Sequence, residues 1–283
     1  MAKFLALLIT FCLLAMVVAC APTTTVVPVA TAAPKTLTIF AAASLTEAFT
    51  AIGKLFEARN PGVTVAFNLA GSQQLAQQIA QGAPADVFAS ANDAQMNAAI
   101  KSGRIADGSQ RTFAHNRLVV IAARNAARPI AVLQDLARPG LKIALAAKEV
   151  PVGQYALDFM DKASADAAFG SAFKANVLQN VVSYEENVRA VLAKVALGEA
   201  DAGIVYTTDV VGNNAPQVVR VDIPNRLNTI ASYPIASIAD SANPQTAQAF
   251  VTLVLSPDGQ AVLGKYGFTA SNALSGARVA VKP

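Results

Sequence analysis

Cysteine, histidine and tryptophan are nearly missing from this sequence: two Cys, one His and no Trp among 283 residues. A metalloenzyme built on His and Cys ligands needs several such side chains at set spacings, and the scarcity weighs against one. Charge is sparse as well, at 14% of residues, with 22 Lys and Arg against 18 Asp and Glu for a net +4. The isoelectric point near 9.1 looks like a nucleic-acid signature, but so little charge, so evenly spread, argues against a nucleic-acid partner. Apolar residues make up 54% of the chain, which excludes a disordered protein. The length suffices for a large core and falls between one long domain and two short ones.

Both cysteines lie within residues 1–20, MAKFLALLITFCLLAMVVAC. Lys3 precedes an apolar run from Phe4 to Ala19. That run is shorter than the ~20 residues that span a bilayer, and its layout is that of a secretory signal peptide. It ends Val17-Val18-Ala19-Cys20, which resembles a bacterial lipobox; in such signals the Cys, here Cys20, is lipidated and becomes the new N-terminus. The plainer reading is an ordinary signal peptide cut nearby. Residues 21–36, APTTTVVPVATAAPKT, hold three Pro and five Thr and read as a flexible tether, able to reach roughly 50 Å when extended. Export and a membrane anchor on the extracytoplasmic face are therefore expected. Beyond the tether there is no Cys, and setting Lys3 and Lys35 aside lowers the net charge from +4 to +2.

From Leu37 onward, apolar runs alternate with stretches of helical period. Strands are predicted at 37–43, 63–70, 85–91, 118–123, 141–146, 202–206 and 218–223, with helices at 44–60, 72–82, 153–163, 185–197 and 244–255. Continuous apolar strands separated by helices predict an α/β fold of mostly parallel sheets. Ligands of such sheets sit past the carboxyl ends of the strands, at the first turns of the following helices.

Four of these junctions carry spare donors. Ser44-x-x-Glu47 matches a capping box with Ser44 as N-cap, and the three Ala before it leave room for a ligand against the backbone. Gly71-Ser72 opens the second helix. Pro151-Val152-Gly153 starts a third, Pro being favoured in a first turn. Ser183-x-x-Glu186 matches another capping box, and Tyr206 closes a strand with its hydroxyl at the ligand-facing end. Taken singly, each is accounted for by helix capping or core packing.

Together, AAASLTEAF (41–49), AGSQQLAQQIAQGAPADVFASA (70–91), VPVGQYA (150–156), ENVRAVL (186–192), GEADAGIVYTTD (198–209) and KYGF (265–268) resemble the marks of the molybdate-binding proteins of ABC uptake systems, within the type II periplasmic-binding-protein family. The resemblance implies a two-lobed clamp, each lobe a mostly parallel sheet flanked by helices, closing on molybdate or tungstate. It implies delivery to a membrane permease with a cytoplasmic ATPase, a monomeric state and no cofactor. Carried over, Ser44 and Ser72 supply hydroxyl and N–H donors from the first lobe. Val152 and Val188 supply backbone N–H groups from the second, and Tyr206 its phenol. Val152 departs from a common Ala, and Gln73-Gln74 from frequent Ser or Thr, which bears on pocket size. Hinges are expected after His115-Asn116 and at Pro224, dividing the body into residues 37–116 with 225–283 and residues 117–224. His115 itself reads as a hinge or surface residue.

The inferred donor set contains no Lys or Arg; Arg189 follows Val188, but the next residue on a helix points elsewhere. Converging helix N-termini hold a dianion through oriented dipoles. Donors alone also disfavour hydrogen phosphate, whose O–H needs an acceptor. Sulfate must be told apart by size, and a binder of another oxyanion such as sulfate is the alternative. An enzyme is not expected. Ser171-Ala-Phe-Lys174 matches a Ser-x-x-Lys signature, yet no Ser-Asp-Asn accompanies it and Lys101-Ser102-Gly103 lies upstream. A tethered structural lipoprotein would explain the leader but not the junctions.

Overall fold

The computed structural model describes residues 35–125, 128–211 and 217–271; Cys20, the leader, most of the tether and residues 272–283 lie outside the described residues. The strands are β1 (Lys35–Ala42), β2 (Val63–Ala70), β3 (Val87–Ala89), β4 (Arg111–Ala123), β5 (Ile143–Ala146), β6 (Val181–Glu185), β7 (Ala202–Tyr206), β8 (Val218–Asp222), β9 (Ile230–Ser237) and β10 (Thr269–Ala270). The helices are α1 (Thr46–Arg59), α2 (Ser72–Ala80), α3 (Asp93–Lys101), α4 (Pro151–Ala165), α5 (Phe173–Gln179), α6 (Val188–Ala196), α7 (Pro244–Leu255) and α8 (Pro257–Lys265).

The α/β class read from the alternation is the one observed. β1 lies between β2 and β3 in parallel register, and β5 between β6 and β7 likewise. Antiparallel strands link these two parallel sets into one sheet. β9 pairs with β3 and β4, and β4 pairs with β7, β8 and β10. β4 is the strand through which the two sets connect. Its first part, to Arg117, lies against β9, and its second lies between β7, paired from Leu118, and β8, paired from Val119. At that change of partner the buried Asn228 stands in for a strand. Its Oδ1 accepts from the Leu118 N–H at 3.0 Å, and its Nδ2 donates to Leu118 O at 2.8 Å. The backbone groups of Leu118 are thus satisfied.

Burial follows the helical period. α1 buries Phe49, Ile52 and Phe56, with Phe49 5.6 Å from Phe113 and Phe56 5.4 Å from Phe250 between ring centroids. Each such side chain contributes roughly 1.5–3 kcal/mol by leaving water, and together they fix α1 against β4 and α7.

Some boundaries differ from expectation. β1 begins at Lys35, paired with Val63, so the last two tether residues belong to the sheet. Ser44 is not an N-cap: it lies in a 3₁₀ turn, Ala43–Leu45, that makes no side-chain cap. Ser183 lies inside β6, and α6 is instead capped by Asn187. β6, β9 and β10 and helices α3, α5 and α8 were outside the predicted set, being short, polar or interrupted by Pro234.

Candidate functional site

Ser44, Ser72, Val152, Val188 and Tyr206 all line one cavity. It lies past the carboxyl ends of β1, β2 and β7 and against the first turns of α2, α4 and α6. The remaining wall includes Ala42, Ala43, Ala70 and Ala91, whose small side chains leave the backbone open to an occupant. The cavity is small, with room for a body roughly 3 Å in radius. No charged side chain belongs to the lining.

Local sequence explains why these positions keep unused protons. The first N–H groups of a helix have no partner one turn back. At α6, Asn187 Oδ1 takes the N–H groups of Arg189 and Ala190 at 2.9 and 3.0 Å, which leaves Val188 as the first-turn donor its cap does not claim. At α4 the first residue is Pro151, which has no N–H, so Val152 leads. At α2 the leader is Ser72 itself.

The hydroxyls can donate as well. Ser72 Oγ accepts from the Ala91 N–H at 3.0 Å, leaving its own proton unassigned. Ser44 Oγ lies 3.0 Å from the Tyr233 hydroxyl, a bond in which either oxygen can donate. Asn116 Oδ1 accepts from the Arg117 N–H and from Thr207 Oγ1, so its Nδ2 donates, to Thr208 Oγ1 at 2.7 Å and to the Tyr233 hydroxyl at 3.4 Å. Asn116 and Ser44 thus meet at the Tyr233 hydroxyl, which holds Ser44 Oγ at the cavity wall. Tyr206 is buried and its hydroxyl has no hydrogen-bond partner; burial raises its pKa well above the ordinary phenol value, so it too remains a donor.

Behind this wall lies a charged group. Arg189 donates from Nε to Ala43 O at 3.3 Å, pairs with Glu47, and lies 3.3 Å from Asp209 Oδ1. Asp209 is fully buried and accepts the Tyr206 N–H at 2.9 Å. Burial pushes its pKa up to about 7, Arg189 and the Tyr206 N–H partly offset that, and Glu47 adds to it.

Gln73 and Gln74 are absent from the lining. They donate instead to the Glu186 backbone carbonyl and carboxylate, at 2.8 and 2.9 Å, joining α2 to the β6–α6 loop. Gly71 makes that approach possible, since a Cβ there would lie 2.4 Å from Glu186 O. Sequence reasoning missed Asn116, Tyr233 and Asn187: the first two act over long separations with no local motif, whereas Asn187 directly before an apolar helix was a readable cap. His115 lies 3.3 Å from Ser232 Oγ, outside the lining. Ser171 is exposed and Lys174 pairs with Asp161 at 2.7 Å, so neither serves the cavity. Among the described residues no cluster of His, Cys, Asp and Glu is suited to a metal ion, and no helix is long and apolar enough to cross a membrane.

Residues 37–269 match the bacterial extracellular solute-binding protein family. The molybdate-binding protein ModA of Mycobacterium tuberculosis is 39% identical over 234 residues, covering 83% of this chain and 84% of its own. The molybdate-binding protein ModA of Escherichia coli is 32% identical over 239 residues, covering 82% and 88%. Among solved structures, the periplasmic molybdate-binding protein of Azotobacter vinelandii superposes with a TM-score of 0.70 at 20% identity, covering 82% of this chain and 98% of its own. The sulfate-binding protein SubI of Mycobacterium tuberculosis does so with a TM-score of 0.74 at 19% identity, covering 87% and 90%. At those identities the two structures speak to the fold alone. By a match over most of its length and by relatives such as these, the chain belongs to the bacterial extracellular solute-binding proteins, in the ModA family.

Proposed function

We propose that this protein captures a tetrahedral oxyanion, molybdate or tungstate, in the cavity between Ser44, Ser72, Val152, Val188 and Tyr206 and delivers it to an ABC importer. The observation that carries the reading is the convergence of donors. Ser72 accepts from the Ala91 N–H and keeps its own proton to give, Ser44 and Tyr206 bring hydroxyls, and three helices bring their first turns to the same hole. A fully ionised dianion satisfies all of them. Hydrogen phosphate brings a proton of its own, for which such a wall has no acceptor. Donors held in place and shielded from water act more strongly than in solvent, so direct contact with a cation is unnecessary. The cavity is sized for one oxyanion with its four oxygens.

Residues 37–116 with 225–283 form one lobe of the proposed clamp and residues 117–224 the other. The clamp binds and releases without a chemical step or a cofactor. Cys20 carries the lipid anchor and the Pro- and Thr-rich tether keeps a monomeric body near its permease. Calorimetric titration with molybdate, tungstate, sulfate and phosphate tests the reading. Tight binding of the first two and little of the others is expected; equal affinity for sulfate overturns the molybdate assignment. A Ser44→Ala/Ser72→Ala variant that binds molybdate undiminished overturns the site.

A further inference from the structure

We infer that Arg189 is a positioning residue that delivers positive polarisation to the bound oxyanion through the Ala43–Ser44 peptide, without touching it. The inference rests on the oxyanion reading above and adds a specificity element: selection for two charges over one. Ala43 O and the Ser44 N–H are the two ends of one peptide group, and Ser44 lines the cavity. Hydrogen bonds received at the oxygen of a peptide polarise its N–H, which strengthens what that N–H donates. Ala43 O receives three: from the Thr46 N–H, from Thr46 Oγ1 at 2.7 Å, and from Arg189 Nε at 3.3 Å. The last comes from a guanidinium, whose positive charge adds to the polarisation while its Nε also faces Asp209 Oδ1 at 3.3 Å.

The setting of Arg189 is unusual unless an anion is near. It lies in the first turn of α6, where the helix dipole disfavours a cation. Glu47 and Asp209 hold it there. Glu47 is 44% exposed, so water screens its charge, while the guanidinium Nε is turned inward to the peptide. The contact also joins α6 to the turn before α1, so it forms only when these two sides of the cavity are together.

Tungstate and perrhenate test this, being tetrahedral oxyanions of closely similar size that carry two charges and one. Affinities of both are measured for the wild type, for Arg189→Met and for Arg189→Lys, with perrhenate read by displacement of tungstate. Loss of roughly tenfold in tungstate affinity is expected in Arg189→Met, with clearly less lost for perrhenate, so that the tungstate-to-perrhenate ratio falls; Arg189→Lys recovers part of it. Equal losses for both anions, or no loss, overturn the inference and leave Arg189 as a strut between the two sides. The Arg189→Met/Asp209→Asn variant makes the same comparison without an unpaired buried carboxylate, should the single variant misfold, and an unchanged ratio there overturns it equally. A wild type that binds neither anion refutes the oxyanion reading itself, a result distinct from either.

Discussion

The hydroxyl of Tyr233 stands 3.0 Å from Ser44 Oγ, although 189 positions separate the two residues. That contact holds the serine hydroxyl against β9. Tyr233→Phe removes it while keeping the ring against Phe113, Phe268 and Tyr206. Molybdate affinity measured by calorimetry should fall about tenfold, the worth of roughly one hydrogen bond, with the fold intact. Unchanged affinity would show that the serine needs no orienting.

Ser72 and Tyr206 should separate stability from binding. Ser72→Ala leaves the buried Ala91 N–H without its acceptor and should lower both the unfolding free energy, by about 1–3 kcal/mol, and the affinity. Tyr206→Phe removes a buried hydroxyl that has no partner in the protein. Urea unfolding without ligand should therefore show no loss of stability, while molybdate affinity drops at least tenfold. A destabilised Tyr206→Phe protein would mean the hydroxyl has a structural partner.

Gly71 has an ordinary φ of −62°, so alanine costs nothing in backbone strain there. Its obstacle is Glu186 O, 2.4 Å from the added Cβ. Gly71→Ala should weaken molybdate binding about tenfold or more by keeping α2 away from the β6–α6 loop. The ligand-free melting temperature should stay close to that of the wild type, and a large fall in it would locate the damage within the fold instead.

Asp209 sets a pH dependence. Its folded pKa is raised from 3.8 to about 7, so the folded state keeps a proton that the unfolded chain has already lost. Stability must then decline as pH rises through that window and level off above it. The stability advantage of Asp209→Asn over wild type should be small near about pH 4 and greatest above about pH 7, read from urea midpoints across the range. A difference that does not change with pH would place the carboxyl in a more polar setting than its burial implies.

Much of the fold was legible because its strands are apolar and contiguous. VTVAFNLA and AGIVY became β2 and β7 with the predicted bounds. β9 was not, since Ser232 and Pro234 interrupt IASYPIAS and break the run that signals a strand. At the cavity, residues opening helices could be read locally, as with Ser72 and Pro151-Val152. Asn116 and Tyr233 could not, because their role is fixed by partners on other strands. Gln73 and Gln74, expected to bear on pocket size, reach outward to Glu186 because α2 turns their side chains away from the hole.

Asn228 has a consequence for the timing of release. Where β4 changes partners, the Leu118 peptide is held by a side-chain amide, which can follow a rotation by turning about its own χ angles. In the proposed clamp, ladder bonds on either side need not break when the two lobes part. The contacts that must part then include Gln73 and Gln74 on Glu186, Gln95 on the Glu149 carbonyl, Lys162 on the Asn228 carbonyl and Arg189 on Glu47. A transporter that parted such side-chain contacts could empty the proposed clamp without loosening its core.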